Sequence, residues 1–323
     1  MGALRLPPVA AAAPEGRDVI PTRAAIWFRA LRPAQWLKNG VLPAAYFFAR
    51  WDPTQCEGVR GVLPLVYVAL AVACFCCVSS GIYLINDVRD IEADRAHPLK
   101  RLRPLAAGQI RASAAVAVAI VLLAAGLAAG ALTLPRAFTE VLLAYGLMQL
   151  AYTFGLKRIP YVDVFVIAVG FVLRAIAGAA ALSVRISPWL LLCTFLLALF
   201  LALCKRRHEK VLLDEDGERH RKALAGYDRY LLDLQIAVTA SATLVCYAMY
   251  TLSEETVRRF GTNRLGFTIP FVVFGLFRYL ELVYRHDGGG RPEQTLLTDR
   301  VLIGTMILFL LTALAVFLTG QTV

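Results

Sequence analysis

The run Asn86-Asp87-Val88-Arg89-Asp90-Ile91-Glu92-Ala93-Asp94 places three aspartates three and four residues apart, directly after a charge-free stretch, residues 61–86. On a helix, Asp87, Asp90 and Asp94 fall within about 60° of one face, with Asn86 one turn before Asp90. Carboxylates gathered in this way repel one another and are poorly solvated where helices pack. A hard divalent cation relieves both problems. Oxygen-only donors suit Mg²⁺, which binds through a few carboxylates together with substrate phosphates. Asp87, Asp90 and Asp94 are therefore the candidate catalytic groups, and with Asn86 the candidate metal ligands. The competing reading is a solvated acidic helix end, and the abrupt junction with the apolar run weighs against it.

A basic loop follows at once, His97-Pro98-Leu99-Lys100-Arg101-Leu102-Arg103-Pro104. Pro98 and Pro104 stop a helix from continuing and keep Lys100, Arg101 and Arg103 beside the carboxylates. Metal-binding acids next to such a loop describe a diphosphate site, in which the metal bridges oxygens and the basic groups neutralise the rest. Lys157 and Arg158 are expected to add charge from a neighbouring loop, and Lys38 beside Asn39 could reach a phosphate or serve only as a membrane anchor. Histidine chemistry is not indicated: His97, His208, His220 and His286 are scattered over loops with no Ser/His/Asp pattern. The seven cysteines show no metal-like pairing and read as small buried hydrophobes.

These residues need a scaffold, and composition names its class. Of 323 residues, 59% are hydrophobic and 18% charged, with mean hydropathy +0.63. A soluble domain holds ~45–50% apolar and ~25% charged residues, so a polytopic membrane protein is expected, all-α because lipid leaves no partner for an open sheet edge. A span needs ~20 apolar residues. Residues 61–86, 112–135, 186–204, 234–253 and 301–323 qualify without charge; 36–49, 137–155, 163–183 and 267–284 are weaker, and together they predict nine spans. Residues 1–24 read as a disordered tail and not a signal peptide, and 25–323 as one membrane domain. Arg174 lies within the fifth span and needs a partner or a polar cavity; Glu140 is the simplest partner. Tyr83, Tyr145 and Tyr152 are candidates to line the cavity or to pack in it.

Nine spans divide the Lys and Arg residues 25 to 7 between the two sides, with Arg174 and Arg278 inside spans. By the positive-inside tendency the N-terminus and the acidic motif face the cytoplasm. The net charge of +11 is thus partly orientation, and its placement in short loops of a membrane protein argues against nucleic acid as a partner.

The NDxxDxxxD run at the inner end of the second span resembles the UbiA superfamily of intramembrane prenyltransferases. Leu31-Arg32-Pro33-Ala34-Gln35-Trp36-Leu37-Lys38-Asn39 resembles that family's first helix, and Ala151–Arg158, Asp163 and 170–178 its fourth and fifth. The family usually carries a second Asp-rich motif after the sixth span. Here that place reads Cys204-Lys205-Arg206-Arg207-His208-Glu209-Lys210, with Asp214 and Asp216 at the wrong spacing. With the RPxQWxKN segment, this resembles the decaprenyl-phosphate phosphoribosyltransferase branch. The resemblance implies a Mg²⁺-dependent transfer of phosphoribosyl from phosphoribosyl diphosphate to a polyprenyl phosphate, in a bacterial inner membrane, for cell-wall arabinan precursors. Lys205 and Arg206 join the expected phosphate-binding groups. Glu209, one turn after Arg206, pairs with it or ligates a second metal. Arg221, Lys222, Tyr227 and Asp228 could line the same entrance. The runner-up is prenyl transfer from a prenyl diphosphate; a transporter is disfavoured because the ionisable groups concentrate at one end. The oligomeric state stays open, a homo-oligomer included.

Overall fold

A computed structural model describes residues 22–96, 100–216, 226–285, 288–290 and 292–320. The expected tail up to residue 21, His97, Pro98, His220, Arg221, Lys222 and His286 lie outside these, as do the side chains of Asp214 and Asp216.

The described residues contain helices and no strand. In chain order they are α1 (Arg23–Ala30), α2 (Ala44–Arg50), α3 (Leu63–Arg89), α4 (Ile91–Ala96), α5 (Ala112–Thr133), α6 (Arg136–Phe154), α7 (Val162–Leu182), α8 (Pro188–Asp216), α9 (Arg229–Leu252), α10 (Glu254–Phe260), α11 (Ile269–Arg285), α12 (Pro292–Thr298) and α13 (Arg300–Gly320). Seven are long and apolar enough to cross a membrane: α3, α5, α7, α8, α9, α13, and α11 with the turn before it. The expected span at 137–155 is α6, a 19-residue helix that carries Arg136 and Glu140 near its start.

The expected span at 36–49 is not one continuous α-helix. A 3₁₀ stretch runs from Pro33 to Val41, and α2 begins only after Pro43. Two prolines and Gly40 within so short a segment explain the break, because proline removes a donor and glycine is the least helix-favouring of the other residues. Arg32, before the first proline, stands in the left-handed region at φ 56°.

Two apolar cores organise the bundle. One joins α3, α6 and α7 around Phe75, Phe138, Leu142 and Tyr145. The other joins α8, α9 and α11 around Phe200, Ile236 and Tyr279. Small residues bring the helices together. A Cβ at Gly126 of α5 would stand 3.0 Å from the Cys74 carbonyl oxygen of α3, and one at Gly178 of α7 only 2.3 Å from the Leu42 carbonyl oxygen. Such close approach is how membrane helices gain packing without a hydrophobic drive. Phe317 of α13 stacks on Trp51, at 5.7 Å and 10°, which ties the end of the chain to the segment after α2.

At the end opposite the acidic motif, Asp52 clamps its own loop to α10. Its carboxylate accepts from Thr54 N (2.9 Å), Thr54 Oγ1 (2.7 Å) and Gln55 Nε2 (2.6 Å) and pairs with Arg259 Nε at 2.7 Å. Burial raises its pKa, but these donors and the Arg259 charge outweigh that and hold it below the usual carboxylate range. A carboxyl with a depressed folded-state pKa stabilises the fold above its unfolded pKa, and that contribution is lost as pH falls through the folded value. Asp52→Asn should cost about 2 kcal/mol near neutrality. Thermal melts of the detergent-solubilised protein should show the gap to the parent narrowing in acid. A constant gap down to the acid limit would show that the charge of Asp52 is not what the clamp uses.

Candidate active site

The acidic motif ends α3 and begins α4. Asp90 caps α3 with φ −97° and ψ 10°, so the three aspartates do not continue along one uninterrupted helix face. Two sets of cations approach from different directions, and mutual repulsion of the carboxylates is relieved by pairing them separately.

The first set meets Asp87 and Asp94. Arg103 Nη1 lies 3.3 Å from Asp87 Oδ1 and 2.6 Å from Asp94 Oδ2, one nitrogen bridging two carboxylates. Arg32 donates its Nη2 to the same oxygen of Asp87 and places its guanidinium 5.2 Å from the Tyr83 ring centre. The loop that delivers Arg103 is held by Arg95, whose Nε donates to the Ala106 carbonyl at 3.1 Å. Both aspartates are nearly fully buried.

The second set meets Asp90. Lys157 Nζ lies 2.7 and 2.6 Å from the two Asp90 oxygens and 2.9 Å from Asn86 Oδ1. Lys157 sits in the short turn between α6 and α7. That turn is tied to the end of α3 by Arg89, which donates to the Thr153 carbonyl at 2.7 Å and covers the Phe154 ring at 5.0 Å.

Arg206 is directed elsewhere. It is 2% exposed, sits 3.2 Å from Asp163 Oδ2 through Nε, and pairs with Glu209 one turn on. Its charge is therefore neutralised by two carboxylates, and it does not offer a bare guanidinium to a phosphate. Tyr227 completes this group, donating to Asp163 and accepting from the Tyr161 amide at 2.8 Å. Burial, then the hydrogen bond to Asp163, pushes the Tyr227 pKa up, so its hydroxyl keeps the proton it donates. Tyr152 lies within electrostatic range of Arg206. Lys38, Lys100, Lys205 and Glu209 are partly buried, whereas Arg101 and Arg158 are exposed and pair with no described carboxylate.

Arg174 does not pair with Glu140. Glu140 is exposed and bonded to Arg136. Glu140 and Tyr145 lie about 140° apart around α6 at 100° per residue, so only Tyr145 faces the interior. Arg174 instead donates to Asn39, Gly170 and Tyr145.

Arg32 was not anticipated as a site residue. No sequence pattern signals it, because a following proline favours extended backbone; the structure shows it instead, since a non-glycine residue held left-handed costs about 1–2 kcal/mol, and strain of this kind concentrates where function needs a side chain aimed. Tyr161, at φ 67°, is a second case.

Among the described residues no three His, Cys, Asp or Glu side chains converge as a ready metal cluster. The site nevertheless fits a hard divalent ion. Arg103 Nη1 already marks a cation position shared by two carboxylates, and Mg²⁺ commonly takes only one or two carboxylates plus phosphate oxygens and water. Charge makes the same point. Arg32, Arg103 and Lys157 balance Asp87, Asp90 and Asp94, so an incoming diphosphate needs further positive charge.

Residues 58–287 match the model of the UbiA prenyltransferase family. The chain is 35% identical over 277 residues to a decaprenyl-phosphate phosphoribosyltransferase of Corynebacterium glutamicum, covering 85% of this chain and 81% of that protein. It is 38% identical over 291 residues to the protein of that name in Mycolicibacterium smegmatis, covering 87% and 88%. Its fold matches a UbiA homolog from Archaeoglobus fulgidus, solved with GPP and Mg²⁺, at TM-score 0.67 and 20% identity over 90% of this chain and 99% of that one. The protein with the Asp87–Arg103–Asp94 bridge is a multi-pass, all-helical membrane protein, and it belongs to the UbiA prenyltransferase family.

Proposed function

We propose that the protein transfers a 5-phosphoribosyl group from phosphoribosyl diphosphate to a polyprenyl phosphate. The bond from the anomeric carbon to the diphosphate oxygen breaks, a bond from that carbon to an oxygen of the lipid phosphate forms, and diphosphate leaves with the electron pair. The observation that carries this reading is the concentration of cations at the acidic end. Arg32, Arg103 and Lys157 all reach the aspartates, Arg101 and Arg158 stand exposed in the adjoining loops, and α8 carries Lys205-Arg206-Arg207 where the family usually has a second acidic motif, although Arg206 and Arg207 are already paired with Asp163, Glu209 and Asp233. A donor with a diphosphate and a 5-phosphate, and an acceptor with its own phosphate, call for Arg101 and Arg158 and for the cations that a bound metal would release from the aspartates. The relatives of that name support the same assignment.

Asp87 and Asp94 would hold Mg²⁺, with Asp90 and Asn86 beside them; the ion supplies neutralisation of the leaving diphosphate. Arg103, which sits between these carboxylates, would be free to meet the phosphates once the ion is bound, and Lys157 holds Asp90 in place. An ionised lipid phosphate needs no deprotonation near neutrality, so no general base is required, and the described site contains none of histidine type. The acidic end faces the cytoplasm of a bacterial inner membrane, where the soluble donor is available. With α6 and the broken 33–50 segment taken as crossings beside the seven long apolar helices, the chain would cross nine times, and the bias of Lys and Arg to one side supports a cytoplasmic N-terminus. The product would serve arabinan precursor synthesis.

Purified protein in nanodiscs, given Mg²⁺, labelled phosphoribosyl diphosphate and farnesyl phosphate, should form a labelled lipid and diphosphate in equal amounts. Label transfer should stop on chelation and return with Mg²⁺. No labelled lipid, together with prenyl transfer from geranyl diphosphate to an aromatic acid, would replace this reading with the runner-up.

A further inference from the structure

Arg174 is 3% exposed and deep in α7. Its Nε donates to Asn39 Oδ1 at 2.9 Å, Nη1 to the Gly170 carbonyl at 2.9 Å, and Nη2 to Tyr145 Oη at 2.7 Å. Its guanidinium carbon lies 4.7 Å from the Tyr145 ring centre and 5.4 Å from that of Phe171. Every one of these partners is neutral. Among the described residues no carboxylate stands within ion-pair distance of it.

The other buried arginines differ. Arg206 is flanked by Asp163 and Glu209, and Arg207 Nε pairs with Asp233 at 2.6 Å. A charge at this depth is expensive, and a buried cation without an anion is the costliest kind. The hydrogen bonds it donates to Asn39, Gly170 and Tyr145 fix the guanidinium without cancelling its charge, and they commit three of its five N–H groups. The arrangement is a preorganised cation to which none of the described residues supplies an anion.

Position indicates which anion. Asn39 Nδ2 also contacts Cys76 Sγ at 3.2 Å. Cys76, Ser80, Tyr83 and Asp87 recur at intervals of four, three and four along α3, one face running from Arg174 up to the acidic motif. Cys76 lies eleven residues before Asp87, about 16 Å of helix rise, and the Arg174 side chain reaches back by a turn toward the charged end. The nucleophile must sit ~3 Å from the reacting carbon, on the side away from the leaving group. With diphosphate at the aspartates, the attacking phosphate belongs below it, on the membrane side, away from the three carboxylates that would repel it.

Resting on the phosphoribosyl-transfer reading, we propose that Arg174, held by Asn39 and Tyr145, seats the phosphate of the lipid acceptor. It positions the nucleophile between itself and the donor and selects a phosphorylated acceptor over a neutral one. The donor's own 5-phosphate is the rival source of the anion.

The test uses the full chain in nanodiscs with farnesyl phosphate as acceptor. Arg174→Gln should raise KM for farnesyl phosphate about tenfold or more and leave KM for phosphoribosyl diphosphate within about twofold; Arg174→Lys should recover part of the loss. In the parent protein, farnesyl phosphate should slow alkylation of Cys76 by N-ethylmaleimide, read by peptide mass spectrometry, while farnesol and phosphoribosyl diphosphate should not. An unchanged KM for farnesyl phosphate in a folded Arg174→Gln protein overturns the proposal. So does a rise confined to the donor, which would assign Arg174 to the 5-phosphate. Where the variant does not fold, equal Cys76 labelling with and without farnesyl phosphate overturns it instead. A parent protein that labels no lipid refutes the reaction, and the Cys76 protection then still decides the phosphate seat by itself.

Discussion

Asp87→Asn is expected to lower turnover by about 10³-fold or more, since it withdraws one of the two carboxylates proposed to hold the ion that would neutralise the leaving group, an effect of several kcal/mol. The fold should survive. Arg32 and Arg103 keep 22% and 28% of their side chains exposed, so each can be partly solvated once the charge of Asp87 is gone, and the amide fills the same volume. Asp94→Asn should behave similarly, because Arg103 Nη1 joins Asp87 and Asp94 into one unit. The double variant should therefore be scarcely worse than either single one, as residues acting together are not additive. Asp90 belongs to the separate pair with Lys157, so Asp90→Asn combined with Lys157→Met should show its own non-additivity, apart from Asp87. Single-turnover rates at rising Mg²⁺ check this: the Asp87 and Asp94 variants should need more metal, with their residual rate recovering only in part. Full turnover in Asp87→Asn would remove the metal from this position.

Some of this site can be read along the chain and some cannot. The acidic run was legible because its signal is local: residue type, helical spacing and an abrupt apolar boundary. Arg103 and Lys157 were legible as basic groups in loops that must return to the same end of the bundle. What spacing did not reveal was which cation meets which acid. Asp90 separates from Asp87 and Asp94 because Lys157 approaches from between α6 and α7, a direction set by packing. Arg32 reaches Asp87 from 55 residues away through a left-handed backbone, and no periodicity carries that information. Arg206 reads as a phosphate ligand by charge; its pairing with Glu209 was legible from their spacing on one helix, but Asp163 claims it only once α7 and α8 pack. The spans followed the same rule. Long charge-free runs became the expected helices, while the 33–50 segment was broken by its prolines.

The second large effect concerns the support of Arg174. Gly178→Ala should destabilise the protein by about 3 kcal/mol, the upper end for overpacking, because the added Cβ would lie 2.3 Å from the Leu42 carbonyl oxygen. That contact is backbone, so no side chain can rotate out of the way. Relief requires α7 to withdraw from the 3₁₀ stretch, whose last turns include Asn39; Leu42 N donates to the Asn39 carbonyl at 3.0 Å. Moving α7 away pulls Arg174 from Asn39, one turn nearer the charged end. Loss of stability should therefore come with weaker acceptor binding, while the proposed donor site at the end of α3, where Arg32 and Arg103 reach Asp87 from neighbouring segments, should lose less. Gly304→Ala supplies the contrast. Nothing lies within 4 Å of a Cβ there, and alanine favours a helix over glycine by about 1 kcal/mol, so this variant should be as stable as the parent or more so. Melting temperatures and the two KM values, measured on both variants, separate the ideas. A Gly178→Ala protein as stable as Gly304→Ala would mean that α7 and the Pro33–Val41 stretch are not in the close contact that holds Asn39 against Arg174.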